Sequence, residues 1–489
     1  MLPIDLNKLI SYFVYRPNDP LTFVTPFFMV LFTVFFAGFL IVHKHHRSKI
    51  IYLTVFSLYF YYKSSGIYFL LLLASAVSDY TLAIILHRTT EEWKRKAVLT
   101  FSVVANLGLL GYFKYTNFFI GLFNTTAGAE IGPIDIFLPV GISFFTFQSI
   151  SYIVDVYRKE IEPITHFAEY CFFISFFPQL VAGPILRAKD FLPQIRKPSL
   201  VTANDLSQAL FLIMTGLFKK AVISDYISVN FVDRIFDNPA LYSGAENLLG
   251  VYGYAIQIYC DFSGYSDMAI GIALLLGYRL PLNFDSPYVS SSVTEFWRRW
   301  HISLSTWLRE YLYIPLGGNK KGKLRQYLNL FITMLLGGFW HGASINFIVW
   351  GALHGIGLAA DKFVKEHFDL KAGPWMAVLG TVFTFNFVCF CWIFFRADSF
   401  ESAGAMLYQI VFSFHPELVW EILSGYAPIF LLMLCGFILH LAPPKCTITA
   451  VQYFHNCPLV VKSVLLSLMI FVVAQVRSSD IQPFIYFQF

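Results

Sequence analysis

Several ionisable side chains lie within strongly apolar stretches of this sequence, where burying a polar group costs free energy. His341 is the clearest candidate for chemistry, because it lies in "GGFWHG" among glycines whose missing side chains would let a long substrate approach the backbone. A desolvated imidazole favours its neutral form. Because a neutral imidazole can take a proton from a hydroxyl, His341 is a candidate general base for acyl transfer. The full set of intramembrane candidates is Asp79, Asp155, Asp261, Asp267, His301, His341 and His354.

Each of these groups could instead make a helix-end or interhelical hydrogen bond. His354 lies roughly 220° around a continuous helix from His341, which predicts a structural role on another face. Asp261 and Asp267 are separated by about 240° on one helix, the wrong spacing for a close carboxylate dyad. We therefore expect structural or gating contacts for both, through Tyr or Arg partners, and keep Asp261 as a candidate substrate-binding residue.

Other familiar chemistries are missing from the sequence. It contains no G-x-S-x-G elbow, no H-E-x-x-H and no P-loop. The seven cysteines show no C-x-x-C spacing, and the histidines of "HKHH" (43–46) are typical of a solvated loop, so we predict neither a disulfide framework nor a metal site. The net charge of +5 is concentrated in short loops, which predicts no nucleic-acid partner.

The elements that must position these residues are transmembrane helices. The 489 residues are 57% hydrophobic and 13% charged, whereas a soluble domain has about 25% charged residues. Apolar runs of roughly 20 residues indicate membrane spans. The sequence therefore predicts an all-α polytopic membrane protein. The runs are Leu21–Val42, Ile67–Leu86, Ala97–Tyr112, Ile134–Val156, Ala209–Val222, Leu248–Leu276, Leu328–Leu353, Trp375–Phe395, Ala427–Leu441 and Leu459–Val476.

Basic loops set the expected orientation, since Lys and Arg stay on the cytoplasmic side. Residues 43–49 and 87–96 are then cytoplasmic, and residues 1–20 form an uncleaved amphipathic lead-in that starts outside. The run 167–185 is flanked by basic residues at both ends, so we predict that it dips into the membrane and returns, bending at Pro178 or Gly183–Pro184. Because irregular backbone at membrane depth must be enclosed by protein or line a cavity, this segment predicts a cavity.

Residues 286–325 are predicted to form an interfacial helix followed by a basic cytoplasmic loop. His301 falls within the apolar arc of that helix and should point toward protein or bilayer. A following helix over 326–356 should carry His341 about 24 Å from Arg325, deep in the membrane. No internal repeat is found, and the chain, residues 1–489, reads as a single membrane domain. The apolar arc comprises Trp297, Trp300, Leu304, Trp307, Leu308, Tyr311 and Leu312, opposite Arg298, Arg299, Arg309 and Glu310.

Long motifs along the chain resemble those of the bacterial membrane-bound O-acyltransferases, in the branch that contains the membrane subunit of alginate O-acetylation. The D-alanyl transfer protein of teichoic acid modification is a more distant relative. The resemblance implies a ring of tilted and re-entrant helices around a central funnel or tunnel. The motifs are "PVGISFFTFQSISYIVDVYR" (139–158), "YCDFSGYSDMAIGIALLLGY" (259–278), "NFDSPYVSSSVTEFWRRWHISLSTWLREYLYIPLGG" (283–318), "GGFWHGASINFIVWGALHG" (337–355), "WIFFRADS" (392–399) and the terminal "FIYFQF".

The family's catalytic histidine matches His341, and its second conserved polar position matches His301. On this resemblance Trp340 and Trp300 would line the substrate path. Arg298 and Arg299, with the lysines at 320 and 321, would attract an anionic donor, unless they only anchor the topology. The donor is expected to be acetyl-CoA or another acyl donor acting as substrate, with no bound cofactor and no metal.

The resemblance further implies O-acetylation of an exported or cell-surface polysaccharide by a multi-pass protein of the bacterial inner membrane. Its partners would be membrane lipid, the polysaccharide acceptor and an extracytoplasmic esterase-like protein. Two alternatives stay open. One is transfer of D-alanine or a longer acyl chain; the other is a transporter using Asp261, Asp267 and His341, which the lack of inverted repeats disfavours.

Overall fold

The computed structural model describes residues 11–17, 19–181, 183–198, 200–368 and 373–476. All regular structure within these ranges is helical, which confirms the predicted all-α fold class. Residues 1–10 of the predicted lead-in and the "FIYFQF" motif lie outside the described residues.

Five helical stretches of the described chain are long and apolar enough to cross a membrane, and up to seven if each of two bent pairs counts as one span. This finding agrees with a multi-pass membrane protein. The five are His46–Arg88, Glu92–Ala127, Ala203–Asp237, Ile345–His367 and Pro374–Arg396; the bent pairs are Pro416–Gly425 with Ala427–Leu441 and Lys445–Asn456 with Leu459–Gln475.

The chain forms two compact units. The first contains the described residues up to Leu206 together with Ala269–Pro281, and the second contains Ser207–Met268 and the described residues from Leu282 onward. The single domain predicted over residues 1–489 and its central funnel stay predictions.

The first unit shows that the run 167–185 is no straight span. Its first helix ends at Ser175, after nine residues, which is too short to cross a membrane. Phe176 then breaks the helix with ψ 106°, and a single turn follows. The bend therefore lies two residues before Pro178. The helices of this unit are α1 (Pro26–Val42), α2 (His46–Ser65), α3 (Phe69–Arg88), α4 (Glu92–Ala127), α5 (Ile142–Tyr157), α6 (Phe167–Ser175), α7 (Phe177–Leu180) and α8 (Ala188–Ile195).

The second unit holds every residue of the candidate site. Its first helix, α9, continues through π-helical turns at Phe218–Ser224 and Ser228–Val232. The helices are α9 (Ala203–Leu217), α10 (Asp225–Ile227), α11 (Asp233–Asp237), α12 (Gly244–Leu275), α13 (Val293–Arg299), α14 (Ile302–Leu308), α15 (Lys323–His341), α16 (Ile345–His367), α17 (Pro374–Arg396), α18 (Phe400–Phe412), α19 (Val419–Gly425), α20 (Ala427–Leu441), α21 (Pro444–Asn456) and α22 (Leu459–Val476). Helix α9 begins in the first unit and ends in the second, whereas helix α12 begins in the second unit and ends in the first.

The prediction of one helix over 326–356 is wrong. Helix α15 ends at His341, Gly342 is extended (φ −160°, ψ 153°), and α16 begins at Ile345. The two helices form an antiparallel hairpin, because Lys323 at the start of α15 lies 3.3 Å from Glu366 near the end of α16. His341 therefore lies at the tip of the hairpin, where the helix stops.

Gly338, one of the two glycines before His341, packs against the second helix of this hairpin. A Cβ added to Gly338 would lie 2.3 Å from the carbonyl oxygen of Phe347 and 2.8 Å from Cα of Gly351. Gly338 and Gly351 thus allow the two backbones to approach closely, as small residues do at membrane helix interfaces.

The single interfacial helix predicted within 286–325 is also wrong, although its buried face is correct. Helix α13 ends at Arg299, Trp300 is extended, and His301 adopts a left-handed conformation (φ 43°, ψ 56°) before α14. The helix is broken because neither Trp300 nor His301 has helical backbone angles. Five of the seven residues of the arc are nevertheless buried as expected, and Tyr311 and Leu312 are half-buried. The buried five are Trp297, Trp300, Leu304, Trp307 and Leu308.

Candidate functional site

His341 is enclosed by aromatic rings from three helices. Its side chain is buried, with the residue only 4% exposed. The imidazole centroid lies 5.0 Å from the ring of Trp340, 5.0 Å from that of Trp350 on α16 and 5.3 Å from that of Phe395 on α17. Such surroundings disfavour a charged imidazole. In these surroundings a neutral ring is favoured at the hairpin tip, and the neutral ring is the form that a general base requires.

His301 is fully buried in the break between α13 and α14. Its ring meets the ring of Phe262 edge to face at 4.7 Å, and Nδ1 lies 3.3 Å from Oδ1 of Asn283. Burial lowers the pKa of His301 to about 3, so this ring is also neutral near pH 7. The predicted inward aim of His301 agrees with this position.

A continuous series of ring contacts connects the two histidines. We call it the aromatic cluster. It brings His341, Trp340, Trp300 and His301 into one buried region of the second unit, which sequence spacing alone could not establish. From His341 the successive contacts are to Trp350 (5.0 Å), Trp392 (6.0 Å), Trp300 (5.0 Å), Phe284 (5.0 Å), Phe262 (4.9 Å) and His301 (4.7 Å).

His354 lies closer to this cluster than its spacing predicted. The expectation of a separate face assumed a continuous helix; in the hairpin, His354 and His341 both contact Trp350, with His354 at 4.7 Å. His354 accepts a hydrogen bond at Nδ1 from Nε1 of Trp297, 3.2 Å away. This bond is consistent with the structural role predicted for His354.

A further buried histidine, His440 on α20, was missed. Its Nε2 accepts a hydrogen bond from the backbone N–H of Tyr288 at 3.0 Å, and its ring lies 4.4 Å from that of Tyr259. The signal was present in the sequence, because "GFILHL" places a histidine at the end of an apolar run. The hydrogen bond from Tyr288 indicates a structural role.

The two carboxylates of α12 belong to a second buried group, which we call the ion-pair cluster: Lys219, Lys220, Asp225, Asp261 and Asp267. Lys219 Nζ lies 2.8 Å from Asp267. Lys220 Nζ lies 2.5 Å from Asp261 and 2.7 Å from Asp225. The carboxylates thus pair with lysines, whereas the sequence led us to expect Tyr or Arg partners. Sequence reasoning missed them, although "LFKKAV" places both lysines inside an apolar run.

The two arginines predicted to attract a donor have different surroundings. Arg299 lies 3.0 Å from Glu295 and 3.5 Å from Asp285, so its charge is already compensated. Arg298 is exposed and lines a surface pocket of about 400 Å³ together with Lys362, Lys365, Glu295 and Glu366. Arg298 is thus the better placed of the two to meet an anion.

Among the described residues, no group of three or more His, Cys, Asp or Glu side chains could hold a metal ion.

Comparisons with known proteins identify what this arrangement resembles. The model of the membrane-bound O-acyltransferase family, MBOAT, matches residues 10–403. The chain is 39% identical to a peptidoglycan O-acetyltransferase of Helicobacter pylori, covering 80% of each chain. It is 40% identical to a probable alginate O-acetylase of Pseudomonas putida, covering 80% of this chain and 84% of the relative. A teichoic acid D-alanyltransferase of Bacillus subtilis is 29% identical over 54% of this chain and 69% of its own length. These matches confirm the resemblance predicted from the motifs.

Proposed function

The chain belongs to the membrane-bound O-acyltransferase family, and from this membership we propose that it moves an acetyl group across the membrane for O-acetylation of an exported or cell-surface polysaccharide. The donor would be cytoplasmic, with acetyl-CoA as the simplest candidate. Two relatives support this choice, because the name of each describes O-acetylation of a polymer outside the cytoplasm, peptidoglycan in one and alginate in the other. Their identities to the chain are nearly equal, and each match covers four fifths of it.

We assign His341 as the general base. The observation that carries this role is its burial at the hairpin tip among Trp340, Trp350 and Phe395. In the transfer step the imidazole takes the proton of the acceptor hydroxyl while the hydroxyl oxygen attacks the acyl carbonyl. The leaving thiolate of a thioester donor then takes this proton from the imidazolium, so the ring returns to its neutral form.

His301 would support the same transfer from the other end of the aromatic cluster. Trp300 and Trp340 are the candidates for lining the acyl path. Trp300 directly precedes His301 in the sequence, and Trp340 directly precedes His341. Arg298 would attract the anionic part of the donor at the surface. The pairing of Asp261 with Lys220 supports a role for Asp261 in joining α9 to α12 in place of direct substrate contact.

A separate protein would complete the reaction. The candidate base is buried among helices, whereas an exported polysaccharide lies outside the membrane. We therefore include an extracytoplasmic esterase-like partner, which would receive the acetyl group and modify the polymer.

The test is complementation of a deletion strain, followed by mass spectrometry of the surface glycans. We expect the H341A variant to lower O-acetyl content by roughly 10²- to 10⁴-fold, the range for loss of a general base. The matched control is H354Q, which keeps an acceptor for Trp297 and should retain most acetylation. Equal amounts of membrane-inserted protein are verified by immunoblot.

Two results would overturn these assignments. Near-normal acetylation with H341A would remove His341 as base. Glycans that carry D-alanine or a longer acyl chain in place of acetyl would replace the proposed acyl group.

A further inference from the structure

Asn283 makes an unusual concentration of hydrogen bonds beside His301. It is fully buried in the connection between α12 and α13. Its side-chain oxygen lies 2.7 Å from Oγ of Ser303, 3.2 Å from the backbone nitrogen of Ser303 and 3.3 Å from Nδ1 of His301. Three groups thus converge on one oxygen atom.

The identity of that oxygen follows from its partners. An amide oxygen and nitrogen are distinguished by the hydrogen bonds they make. The backbone N–H of Ser303 can only donate, so the Asn283 atom facing it must be the acceptor oxygen, Oδ1. The amide nitrogen then points to Oγ of Ser266, 3.4 Å away. Every contact around the side chain agrees with this orientation.

The tautomer of His301 follows in turn. An amide oxygen can only accept, so Nδ1 of His301 must carry a hydrogen and donate it to Asn283. In a neutral imidazole the lone pair then lies on Nε2.

We propose that Asn283 is a positioning residue that holds His301 in the Nδ1–H tautomer, so that Nε2 is the nitrogen that accepts a hydrogen bond during acyl transfer. This inference rests on the proposed function, because the tautomer of His301 has catalytic meaning only if the chain is an acyltransferase. It assigns His301 the acceptor role and excludes, for the neutral ring, a role in which Nε2 donates a hydrogen bond to an acyl carbonyl.

Two other buried histidines, His354 and His440, show the opposite arrangement. Trp297 Nε1 donates to Nδ1 of His354, and the backbone N–H of Tyr288 donates to Nε2 of His440. In both, a protein N–H occupies the lone pair that could otherwise accept a proton. Asn283 instead engages the N–H of His301. The hydrogen bond of His301 therefore has the opposite polarity to those of His354 and His440.

The backbone around Asn283 keeps this geometry fixed. The carbonyl oxygen of Asn283 accepts from the N–H of Ile302 at 3.0 Å, and the N–H of Asp285 donates to the carbonyl oxygen of Arg299 at 3.0 Å. The connection is thereby tied to the chain on both sides of His301. Because His301 itself adopts φ 43°, its ring is presented from a turn that these bonds stabilise.

The experiment combines kinetics with ¹⁵N NMR of the full-length protein in lipid nanodiscs, using ¹⁵N-labelled histidine. The N283L variant removes the acceptor at similar volume, and N283D keeps an acceptor oxygen. The S303A variant is the control, because it removes one donor to Asn283 but leaves the His301 bond. The His301 signals are assigned by their loss in H301Q.

We expect wild-type His301 to be the Nδ1–H tautomer. N283L should shift it to the Nε2–H form or a mixture and lower kcat by roughly 10- to 100-fold, the range for loss of a group that orients a functional ligand. KM for acetyl-CoA should change less than twofold. N283D should keep the tautomer and most activity, and S303A should behave like wild type.

An Nε2–H tautomer in the wild type would overturn the proposal, even if N283L fails to fold. So would a loss of activity in N283L with an unchanged tautomer, since Asn283 would then act only structurally. A wild-type protein with the Nδ1–H tautomer but no acyl transfer would instead refute the proposed function, which separates the two failures.

Discussion

The aromatic cluster and the ion-pair cluster bury polar groups in the same unit by opposite means. In the ion-pair cluster, Lys219 and Lys220 lie within 2.8 Å of their carboxylate partners. In the aromatic cluster, rings of Trp and Phe surround His341 and His301. A buried charge is tolerated when it is paired, whereas an imidazole can be buried by remaining neutral. The environment therefore decides whether a buried polar group is held as part of an ion pair or as a neutral ring.

This difference also bears on the transporter alternative. A proton or substrate path through Asp261 and Asp267 would need carboxylates able to release their partners. Both are engaged by lysines of the π-helical segment that follows α9. A Cβ added to Gly264 of α12 would lie 2.8 Å from the carbonyl oxygen of Gly216 in α9 and 3.0 Å from the backbone nitrogen of Lys220. Because α9 and the π-helical segment thus pack closely on α12, the ion pairs are expected to join them.

The largest effect should come from breaking the ion-pair cluster. The K220M variant leaves Asp261 and Asp225 without their shared lysine, so a buried carboxylate loses its compensating charge. Removing one partner of a buried pair costs about 3–5 kcal/mol of stability. We expect a strongly lowered yield of folded protein and a lower thermal midpoint in detergent. The control is K189M, whose partner Glu160 is exposed and whose loss should cost about 0–1 kcal/mol.

A K220M protein with wild-type stability but lost activity would contradict the structural role of the ion-pair cluster. It would place the ion-pair cluster among the groups that act on substrate and would restore Asp261 as a substrate-binding residue.

A smaller effect is expected from the glycines of the hairpin. In G338A the new Cβ would lie 2.3 Å from the carbonyl oxygen of Phe347, so α15 and α16 must separate. Overpacking of this kind costs about 1–3 kcal/mol. Because His341 lies three residues further along the helix, acyl transfer should fall as well, and both are measured on the purified variant.

The neighbouring glycine supplies the control. A Cβ on Gly337 would meet only the end of the Leu308 side chain, at 3.2 Å, and a flexible side chain can move. G337A should therefore remain close to wild type in both stability and activity. Equal losses in the two variants would show that hairpin packing does not position His341.

The sequence predicted the fold class and the buried faces because both depend on composition and periodicity. The arc that contains Trp297 and Trp300 was identified correctly, even though the helix is broken at His301. The hairpin was not predicted, since "HGAS" (341–344) contains no proline and its glycine is also tolerated within membrane helices. Periodicity alone extended the helix through it.

The site was predicted in its residues but not in its connections. His341 and His301 stand out as polar groups in apolar segments. The aromatic cluster between them joins α12, α16 and α17 through long-range contacts, and such contacts leave no local signal. The role of Asn283 was missed for the same reason, because an Asn in a loop before a helix resembles an ordinary turn residue.

The smallest expected effect is a dependence of stability on pH that belongs to the aromatic cluster. The pKa of His301 is about 3 in the folded protein and about 6.5 in an unfolded chain. Between these values the unfolded state binds one more proton, so stability falls as the pH is lowered below 6.5 and is unaffected above it. At pH 5.5 this histidine should cost about 1 kcal/mol relative to pH 7.5. The measurement compares thermal midpoints of wild type and H301Q at both pH values. H301Q should lose less stability on acidification, because its amide does not titrate. An equal loss in both proteins would mean that His301 already carries a proton in the folded state. Its ring would then be charged, like the lysines of the ion-pair cluster, and not neutral.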